Sequence, residues 1–426
     1  MMSKALYTDK YEFTMVDAAL KDGTAYRPSV FSVFTRSLPT VVTEENGRYQ
    51  RRYGIVGGTF RFLELLSQFR YSDELLSYLS FTKTVSSECI KFLSDLYFDV
   101  DIDGYWEGDV FFPYSPILNV KGTFAQCTLL ETLLLSVLNY DSAVASSGSR
   151  IKVAAQKREV FDMGARRVNE DAALAAGRIS GVLGFSGTSN VEAARIWGLK
   201  SIGTVAHSFV LSYLDERAAF QAQISAMGLN TTFLVDTYDI ANAIRILCEL
   251  TNSQAGAIRI DSGNLNEEAI KARNLLDSFG AERTKIVISG DLDEYRIQKL
   301  QTAPIDSYGV GTRFATGSGA PACNFVYKIT ESADRSGQLI PVGKQSWNKA
   351  TPPGHRVAYR NLVNGYFDSE MFEHVQAEPV HEALVNRTLL VKGEPTHNFY
   401  GPIGVELANQ HYQQTVNMLN PELLKL

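Results

Sequence analysis

Polar and glycine-rich residues follow several short β-rich runs in the second half of the chain, at the point where each run ends. They are His207, Asp236, Asp261, the pair Gly290-Asp291 and the segment Gly309-Val310-Gly311-Thr312-Arg313. Carboxylates bind sugar hydroxyls and Mg²⁺, a glycine-rich turn directs backbone N–H groups at a phosphate, and arginine adds charge-assisted donors. A tight turn alone also explains a Gly-X-Gly sequence. Five such ends in succession favour a site for a phosphorylated sugar.

The aspartates of this region divide into two groups. Asp239 and Asp293 immediately precede helical segments, and we expect them to cap those helices. Asp236, Asp261 and Asp291 lie at the carboxyl ends of predicted strands, and they are more carboxylates than a phosphate site needs by itself. We therefore expect these three to bind ribose hydroxyls or magnesium.

A histidine and four arginines are further candidates. His207 is either a structural residue or a catalyst, and its place at a predicted strand end favours neither over the other. Arg150, Arg166, Arg167 and Arg259 are candidate anion clamps, although for each arginine taken singly a surface ion pair is the more common role.

The elements that must position these residues alternate between strand and helix. The predicted strands are 201–207, 232–236, 257–261, 285–289 and 307–310, and the predicted helices between and after them are 211–227, 240–250, 267–279 and 293–301. This alternation is typical of right-handed βαβ units that form a parallel sheet. In a βα barrel the carboxyl ends of the strands share the face that carries the active site.

The first part of the chain has a different texture. A strand is predicted at 30–34 and a helix at 60–66, while the polar segment 40–52 is expected to be an exposed loop. Strand-like pieces between Gly108, Pro113 and Pro116 predict an antiparallel hairpin within 105–122.

Composition excludes several classes of protein. The chain has 426 residues, 45% apolar and 21% charged, which is a globular balance and excludes disorder, collagen and coiled coil. A net charge of −6 argues against a nucleic-acid platform. Four cysteines far apart, no signal-like start and no apolar run long enough to span a bilayer predict a reduced, soluble, cytoplasmic protein.

Absent motifs narrow the chemistry further. The sequence contains no Walker A motif, no G-x-S-x-G elbow and no G-x-G-x-x-G after a strand. The pattern alone therefore indicates a barrel enzyme that acts on a phosphorylated sugar.

Taken together and in order, the motifs resemble those of the nicotinate phosphoribosyltransferase family, a type II phosphoribosyltransferase family. They are LYTDKYEFTM at 6–15, DMGARR at 162–167, GTSN at 187–190, GTVAHSF at 203–209, VDTYD at 235–239, RIDSG at 259–263, GD at 290–291 and YGVGTR at 308–313. The resemblance covers most of the chain to about residue 360.

The resemblance implies both a fold and a reaction. The fold is α/β, an incomplete (β/α) barrel at 123–344 beside a smaller α+β domain formed by 1–122 and about 345–426. The reaction converts nicotinate, phosphoribosyl pyrophosphate, ATP and water to nicotinate mononucleotide, pyrophosphate, ADP and phosphate, the first step of NAD salvage from nicotinic acid. Mg²⁺ as cofactor, ATP as co-substrate and a homodimer with shared active sites are also implied.

The resemblance further assigns residues to roles. His207 becomes a phosphohistidine, with Asp261 and Arg259 as the other catalytic residues. The implied substrate-binding residues are Tyr11, Met163, Arg166, Ser189, Asp236, Gly290, Asp291, Gly309, Gly311, Thr312 and Arg313. No residue is assigned as a direct magnesium ligand: the ion is expected to bind through the pyrophosphate, with Asp236 and Asp261 as the candidate contacts.

Three of these residues concern the pyridine ring. Ser189 stands where the nicotinamide-specific relative has Asp, and a hydroxyl can donate to the nicotinate carboxylate that an Asp would repel. Tyr11 corresponds to a tyrosine that reaches across the dimer to stack on the ring. Met163 stands where the family has Phe, and its thioether can still pack on an aromatic face.

Arg150 lacks the preceding lysine that the family pattern has.

Other functions fit parts of the same pattern. A quinolinate-specific transferase needs a denser set of cations for its dicarboxylate, and a nicotinamide-specific enzyme conflicts with Ser189. A catalytically silent nucleotide-binding sensor conflicts with the presence of His207, Arg259 and the three strand-end acids. A non-transferase barrel enzyme that acts on sugar phosphates would ignore nicotinate altogether.

Overall fold

A computed structural model describes residues 3–43, 47–346, 349–375 and 384–425. The chain divides into two compact units. Unit 1 comprises the described residues of Met1–Ser146 and Ala320–Lys425, and unit 2 comprises Ser147–Gly319. The functional boundaries predicted near 122 and 345 stay a prediction.

Both units of the described chain contain helices and strands. The helices are α1 (Lys10–Leu20), α2 (Thr59–Leu66), α3 (Asp73–Phe81), α4 (Ser87–Ser94), α5 (Phe124–Thr128), α6 (Glu131–Ala155), α7 (Glu170–Val182), α8 (Val191–Trp197), α9 (His207–Leu211), α10 (Glu216–Met227), α11 (Ile240–Thr251), α12 (Leu265–Ser278), α13 (Glu294–Lys299), α14 (Thr312–Ala315), α15 (Gly401–Asn417) and α16 (Pro421–Leu424), with a 3₁₀ turn at Thr24–Tyr26. The strands are β1 (Pro28–Phe34), β2 (Thr40–Thr43), β3 (Gly47–Gln50), β4 (Gly54–Ile55), β5 (Asp101–Gly104), β6 (Val110–Phe111), β7 (Leu118–Thr123), β8 (Glu159–Asp162), β9 (Gly187–Thr188), β10 (Thr232–Leu234), β11 (Ala257–Ile260), β12 (Lys285–Ile288), β13 (Ser307–Val310), β14 (Val326–Ala333), β15 (Leu339–Pro341), β16 (Arg356–Val363), β17 (Tyr366–His374), β18 (Arg387–Val391) and β19 (Glu394–Pro395).

Unit 1 is built around a seven-stranded antiparallel sheet in the order β15-β14-β1-β7-β5-β18-β19. Its strands come from both ends of the chain, since β1 pairs with β7 on one side and with β14 on the other. Val30, Val33 and Val120 are fully buried on this sheet. The prediction of an α+β domain built from both chain ends is therefore confirmed.

The hairpin predicted within 105–122 is wrong in its pairing. β7 pairs with β5, which lies before that segment, and β6 pairs with β4. Between β5 and β6 the Asp109 carboxylate accepts a hydrogen bond from the backbone N–H of Trp106 at 2.9 Å and closes a turn. Pro113 and Pro116 follow β6 and leave no room for a second strand before β7.

The segment predicted as an exposed loop at 40–52 is instead a β-hairpin in its described part. β2 pairs with β3 in antiparallel register, with Val41 opposite Tyr49. Val41 is 2% exposed and Arg51 is 3% exposed, so the expectation of general exposure is wrong for both. Residues 44–46 lie outside the described residues.

Unit 2 carries a six-stranded parallel sheet in the order β10-β11-β12-β13-β8-β9. The sheet is curled into a half-barrel, which confirms the predicted α/β fold with an incomplete barrel. Buried Ile258 and Ile260 alternate along β11 with half-buried Arg259. Because successive side chains of a strand point to opposite faces, Arg259 lies on the face opposite these two isoleucines.

Several predicted elements of unit 2 are confirmed. β13 has the predicted bounds, and β10, β11 and β12 lie within theirs. Asp239 caps α11 by accepting from the backbone N–H of Asn242 at 2.7 Å, and Asp293 caps α13 by accepting from that of Arg296 at 2.9 Å. The capping interpretation of both aspartates is therefore correct.

Two predicted elements before β10 are wrong. Of the strand expected at 201–207, only Ser201 forms a β-bridge, with Thr188, and His207 is the first residue of α9. The helix expected at 211–227 is two helices, because Asp215 caps α10 by accepting from the backbone N–H of Ala218 at 2.8 Å. The β-branched residues of 201–205 have strand propensity, but a chain segment between two sheet strands can also accommodate such residues as a loop.

The longest helix of the described residues, α6, has 25 residues. Within the described ranges, no helix combines the length and the apolar character needed to cross a membrane.

Candidate active site at the carboxyl ends of the parallel strands

His207 lies among residues that follow β10 and β11. Its Nδ1 is 3.1 Å from Oγ1 of Thr237, and its Nε2 is 3.3 Å from Oδ1 of Asp261. Oδ1 of Asp236 lies 3.9 Å from the same Nε2. The side chain of His207 is 39% exposed. The imidazole is thus oriented at both nitrogens while part of it remains open to a ligand.

Asp236 is the buried member of this group, with a side chain 2% exposed. Its Oδ2 accepts hydrogen bonds from the backbone N–H of Asp261 at 2.9 Å and from the hydroxyl of Ser262 at 2.7 Å. Burial by itself would raise the pKa of Asp236, but these two hydrogen bonds and the nearby His207 outweigh it and lower the pKa. The carboxylate therefore stays ionised at neutral pH and presents Oδ1 to His207.

Arg259 connects β11 to the loop before α9. Its guanidinium donates to Oγ1 of Thr204 at 3.0 Å and to the carbonyl of Val205 at 3.2 Å. Burial lowers its pKa, while Asp261 and Asp236 act in the opposite direction. Because arginine stays charged far above neutral pH, the group is a half-buried cation beside the loop that leads to His207.

Three of these side chains can also hold a cation. His207, Asp236 and Asp261 each offer one ligand atom, and the three atoms lie within 4.8 Å of one another. Mg²⁺ prefers carboxylate oxygens, water and substrate phosphates, so the two aspartates fit it better than the imidazole does.

A cavity of about 280 Å³ lies against the half-barrel, with Met163, Thr204 and Arg259 in its wall. Gly309 of β13 lies next to Met163: a Cβ on this glycine would stand 2.5 Å from Met163 Sδ. Only a residue without a side chain leaves Met163 in this place. A cationic side chain and a thioether therefore line one small cavity, a combination that suits a planar anion.

A larger cavity of about 780 Å³ lies at the amino ends of the strands, with Glu159, Ala257 and Lys285 in its wall. It contains none of the predicted site residues. Size alone therefore does not locate the chemistry in this barrel.

Asp162, the last residue of β8, holds the turns that carry Met163 and Ser189. Its Oδ1 accepts from the backbone N–H of Gly164 at 2.8 Å, and its Oδ2 accepts from the hydroxyl of Thr188 at 2.7 Å. Its backbone carbonyl accepts from the N–H of Ser189 at 2.7 Å. Burial raises the pKa of Asp162, and the two side-chain hydrogen bonds oppose the rise.

The turn after β12 packs against Asp261. Gly290 has a φ of +109°, and a Cβ there would lie 2.5 Å from the backbone oxygen of Asp261. Asp291 follows with a φ of +49°, and its Oδ2 is 3.8 Å from Nη1 of Arg296. The structure thus brings Gly290 to the His207 group and leaves the Asp291 side chain 54% exposed.

The glycine-rich end of β13 continues directly into α14. Gly309 belongs to β13, Gly311 precedes α14, and Thr312 and Arg313 are its first residues. The carbonyl of Val310 accepts from the N–H of Met163 at 2.7 Å, so this end of β13 adjoins the Met163 turn.

Not every predicted residue joins the group. The anion-clamp interpretation of Arg150 is wrong, because the side chain is buried in α6 with its Nε 3.9 Å from Oε1 of Glu294. Arg166 and Arg167 are exposed. Arg166 is near enough to Arg259 to contribute to the lowered pKa of that guanidinium.

Tyr11 belongs to unit 1 and is 45% exposed. Burial of its hydroxyl, together with the negative charge of the neighbouring Glu131, raises its pKa.

Four contact residues were missed by sequence reasoning: Thr204, Thr237, Ser262 and Asp162. Each lies inside a recognised motif, one to three residues from a residue that was singled out. Their position in those motifs is the only signal that would have found them, since Thr and Ser after a strand are otherwise ordinary turn residues.

The sequence and the fold of this chain are similar to those of known proteins. A model of the nicotinate phosphoribosyltransferase N-terminal domain matches residues 6–139, and a model of the nicotinate phosphoribosyltransferase family matches residues 159–351. Nicotinate phosphoribosyltransferase pncB1 of Mycobacterium tuberculosis is 45% identical over 384 residues, which cover 88% of this chain and 82% of that protein. The nicotinate phosphoribosyltransferase of Bacillus subtilis is 35% identical, covering 86% of this chain and 75% of that protein. The crystal structure of human nicotinic acid phosphoribosyltransferase has the same fold, with a TM-score of 0.80, 23% identity, and coverage of 98% of this chain and 95% of that chain.

Proposed function

The chain belongs to the nicotinate phosphoribosyltransferase family and is an enzyme of NAD salvage from nicotinate, and we propose that it couples this reaction to ATP through a phosphohistidine at His207. The observation that carries the proposal is the imidazole itself, oriented by Asp261 on one nitrogen and Thr237 on the other and still 39% exposed.

In the transferase step, the pyridine nitrogen of nicotinate attacks the anomeric carbon of phosphoribosyl pyrophosphate. The bond from that carbon to the pyrophosphate oxygen breaks, and the electron pair leaves with pyrophosphate. The transition state carries positive charge on the ribose, which the carboxylates of Asp236 and Asp261 stabilise. Asp291, on the neighbouring turn, is assigned to a ribose hydroxyl.

The anionic parts of the substrates need cations and backbone donors. Arg259 and Arg166 are assigned to the pyrophosphate and the nicotinate carboxylate, supported by the half-buried charge of Arg259 beside the small cavity. The 5′-phosphate and the ribose are assigned to residues at the ends of β12 and β13, namely Gly290, Gly309, Gly311, Thr312 and Arg313.

Magnesium fits the carboxylates of this site. Asp236 and Asp261 would hold it together with the pyrophosphate oxygens, and the bound ion would neutralise the charge of the leaving pyrophosphate. Asp236 is ionised at neutral pH, as a ligand of Mg²⁺ must be.

In the phosphorylation step, Nδ1 of His207 is the nucleophile, because Nε2 faces two carboxylates that would repel a triphosphate. The Nδ1 lone pair attacks the γ-phosphorus of ATP, and the bond from that phosphorus to the bridging oxygen breaks to release ADP. The Nε2 proton remains on the ring, where Asp261 and Asp236 stabilise the positive charge that the imidazole acquires.

Selection of the base is assigned to Ser189 and Met163. The backbone of Ser189 is held by its hydrogen bond to Asp162, and from this place the hydroxyl can donate to the nicotinate carboxylate. Met163 packs its thioether against one face of the pyridine ring.

The enzyme is further proposed to be a cytoplasmic homodimer in which Tyr11 of one subunit stacks on the pyridine ring bound by the other. Its 45% exposure supports the assignment, since the ring is available to a second chain. Mixing inactive Tyr11→Ala and His207→Ala chains under conditions of subunit exchange should restore part of the activity. No recovery after proven exchange would refute shared sites.

The test of the proposed function is nicotinate mononucleotide formation by the purified protein with nicotinate, phosphoribosyl pyrophosphate and Mg²⁺, with and without ATP. Nicotinamide and quinolinate serve as parallel bases. Product from nicotinate that increases with ATP, with the ATP effect lost in His207→Ala, is expected. An equal ATP effect in His207→Ala would refute the phosphohistidine, and no product from any base would favour a nucleotide-binding sensor.

A further inference from the structure

The hydroxyl of Thr237 contacts Nδ1 of His207, and the transferase chemistry leaves this contact without a role. We propose that Thr237 is a positioning residue that fixes the tautomer of His207, keeping the proton on Nε2 and the lone pair on Nδ1. The inference deepens the proposed function and rests on it, because the tautomer decides which nitrogen can take a phosphoryl group.

The backbone around Thr237 is held on both sides. Before it, Asp236 accepts from the N–H of Asp261 and the hydroxyl of Ser262. After it, Asp239 accepts from the N–H of Asn242 and so caps α11. Thr237 stands between these two anchored aspartates and is half-buried, so its Oγ1 has a fixed place 3.1 Å from Nδ1 of His207.

The donor and acceptor roles follow from the chemistry of the partners. Ionised carboxylates only accept, so they favour a proton on the nitrogen that faces Asp261 at 3.3 Å and Asp236 at 3.9 Å. The other nitrogen of a neutral imidazole is then an acceptor. A threonine hydroxyl can donate or accept, and here Nδ1 leaves it the donor role. The carboxylates and the Thr237 hydroxyl thus favour the same tautomer, and Thr237→Val removes the part of this preference that the hydroxyl contributes.

The same hydroxyl has a second use once Nδ1 is phosphorylated. The new N–P bond places three phosphoryl oxygens next to Nδ1, within the reach of Thr237 Oγ1, and the hydroxyl can donate to one of them. When Nδ1 attacks, the Thr237 hydroxyl therefore transfers its hydrogen bond from the lone pair to a phosphoryl oxygen. Thr237 stays in its place, and no proton is lost or gained at the threonine.

A merely structural role for Thr237 predicts different behaviour. Its methyl group would then account for the packing, and Thr237→Val, which keeps the shape, would leave the ring unaffected. Under our proposal Thr237→Val removes the donor, while Thr237→Ser keeps it. Thr251→Val is the matched control: Thr251 lies on α11, is buried, and its hydroxyl donates to a helix carbonyl, that of Leu247 at 2.8 Å.

The first measurement is ¹⁵N NMR of histidine-labelled protein at pH 8, where an ordinary imidazole is mostly neutral. Comparison with His207→Gln assigns the ring among the six histidines. We expect the Nε2–H tautomer in the wild type, in Thr237→Ser and in Thr251→Val, and a mixture of tautomers in Thr237→Val. A proton on Nδ1 in the wild type, or an unchanged tautomer in Thr237→Val, would overturn the proposal.

The second measurement is transfer of label from γ-³²P-ATP to the protein. Loss of the hydrogen bond that favours the Nε2–H tautomer lowers the fraction of His207 with a lone pair on Nδ1, so phosphorylation of Thr237→Val should be slower by up to about tenfold, with Thr237→Ser near the wild-type rate. If the wild type takes up no label, the ATP step fails, whereas the tautomer measurement still decides the role of Thr237. Equal labelling rates in Thr237→Val and the wild type would contradict the proposal.

Discussion

Nε2 of His207 lies 3.3 Å from Oδ1 of Asp261, the first residue after β11. The two residues are 54 positions apart in the sequence and meet because His207 begins α9, after the β9 end of the sheet, while Asp261 follows the strand next to β10. A carboxylate in this place stabilises positive charge on the ring, which is what a phosphorylated imidazole carries. A substitution of Asp261 therefore tests both proposed steps, the phosphorylation of His207 and the phosphoribosyl transfer.

Asp261→Asn should lower turnover of nicotinate by roughly 10²-fold, because it removes the negative charge that stabilises positive charge on the imidazole and on the ribose. The backbone N–H of residue 261 still donates to Asp236, so the turn should keep its shape. Steady-state kinetics with saturating ATP measures the effect. Asp277→Asn, a surface change on α12 where Arg273 pairs with the aspartate, is the control and should stay near wild type. An equal loss in both variants would mean that the effect is not local.

Ser189→Asp should lower kcat/KM for nicotinate and raise it for nicotinamide, because a carboxylate repels the nicotinate carboxylate and accepts from an amide NH₂. The ratio of kcat/KM for the two bases is the measurement, and a change of about tenfold or more is expected for one charge repulsion. Ser189→Ala separates charge from loss of the hydroxyl: it should weaken nicotinate without admitting nicotinamide. An unchanged ratio in Ser189→Asp would remove Ser189 from base selection.

Four of the six strands of the half-barrel could be predicted from the sequence, because buried parallel strands are short β-rich runs with a helix after each, whereas β8 and β9 were not predicted. β10 to β13 illustrate this. The strand expected at 201–207 shows the limit. Local propensity cannot tell a strand from a loop that a partner side chain holds, and here Arg259 of β11 holds the loop through Thr204 and the carbonyl of Val205.

The candidate site also contains residues that could be predicted from the sequence and residues that could not. Charged residues at or near strand ends stand out in a sequence, so Asp236, Asp261 and Arg259 could be predicted as candidates. Thr237 was not, since its role depends on a 3.1 Å contact with a ring 30 residues away. Arg150 was misassigned because burial beside Glu294 is a property of the packed fold and leaves no mark on the residues around it.

Gly309→Ala should destabilise the barrel by about 1 kcal/mol and raise KM for nicotinate, because a Cβ 2.5 Å from Met163 Sδ must push the flexible end of that side chain out of place. Chemical denaturation and steady-state kinetics measure the two effects. The double variant Met163→Ala with Gly309→Ala should recover most of the lost stability, since it removes the atoms in conflict. A double variant no more stable than Gly309→Ala alone would place the strain elsewhere, for example at Ser289, whose Cβ is 3.2 Å away.

Glu216 gives unit 2 a pH-dependent stability. It is the first residue of α10, is only 5% exposed, and its Oε1 has no hydrogen-bond partner among the described residues. Burial, with a smaller contribution from the negative charge of Asp239, raises its pKa from 4.5 to about 7. A helix N-terminus favours a carboxylate, but that effect is smaller than the cost of desolvation here.

The sign of the effect follows from proton binding. Between pH 4.5 and 7 the unfolded chain has already lost this proton and the folded chain still holds it, so the free energy of unfolding falls as pH rises and levels off above 7. Glu216→Gln removes the titration. Relative to wild type, the variant should gain about 2 kcal/mol of stability between pH 5 and pH 8, as measured by urea denaturation at both pH values. Glu267→Gln, in the exposed first turn of α12, is the control and should show no such gain. A difference between Glu216→Gln and wild type that is the same at pH 5 and pH 8 would mean that Glu216 is ionised in the folded protein throughout, with a cation that neutralises it.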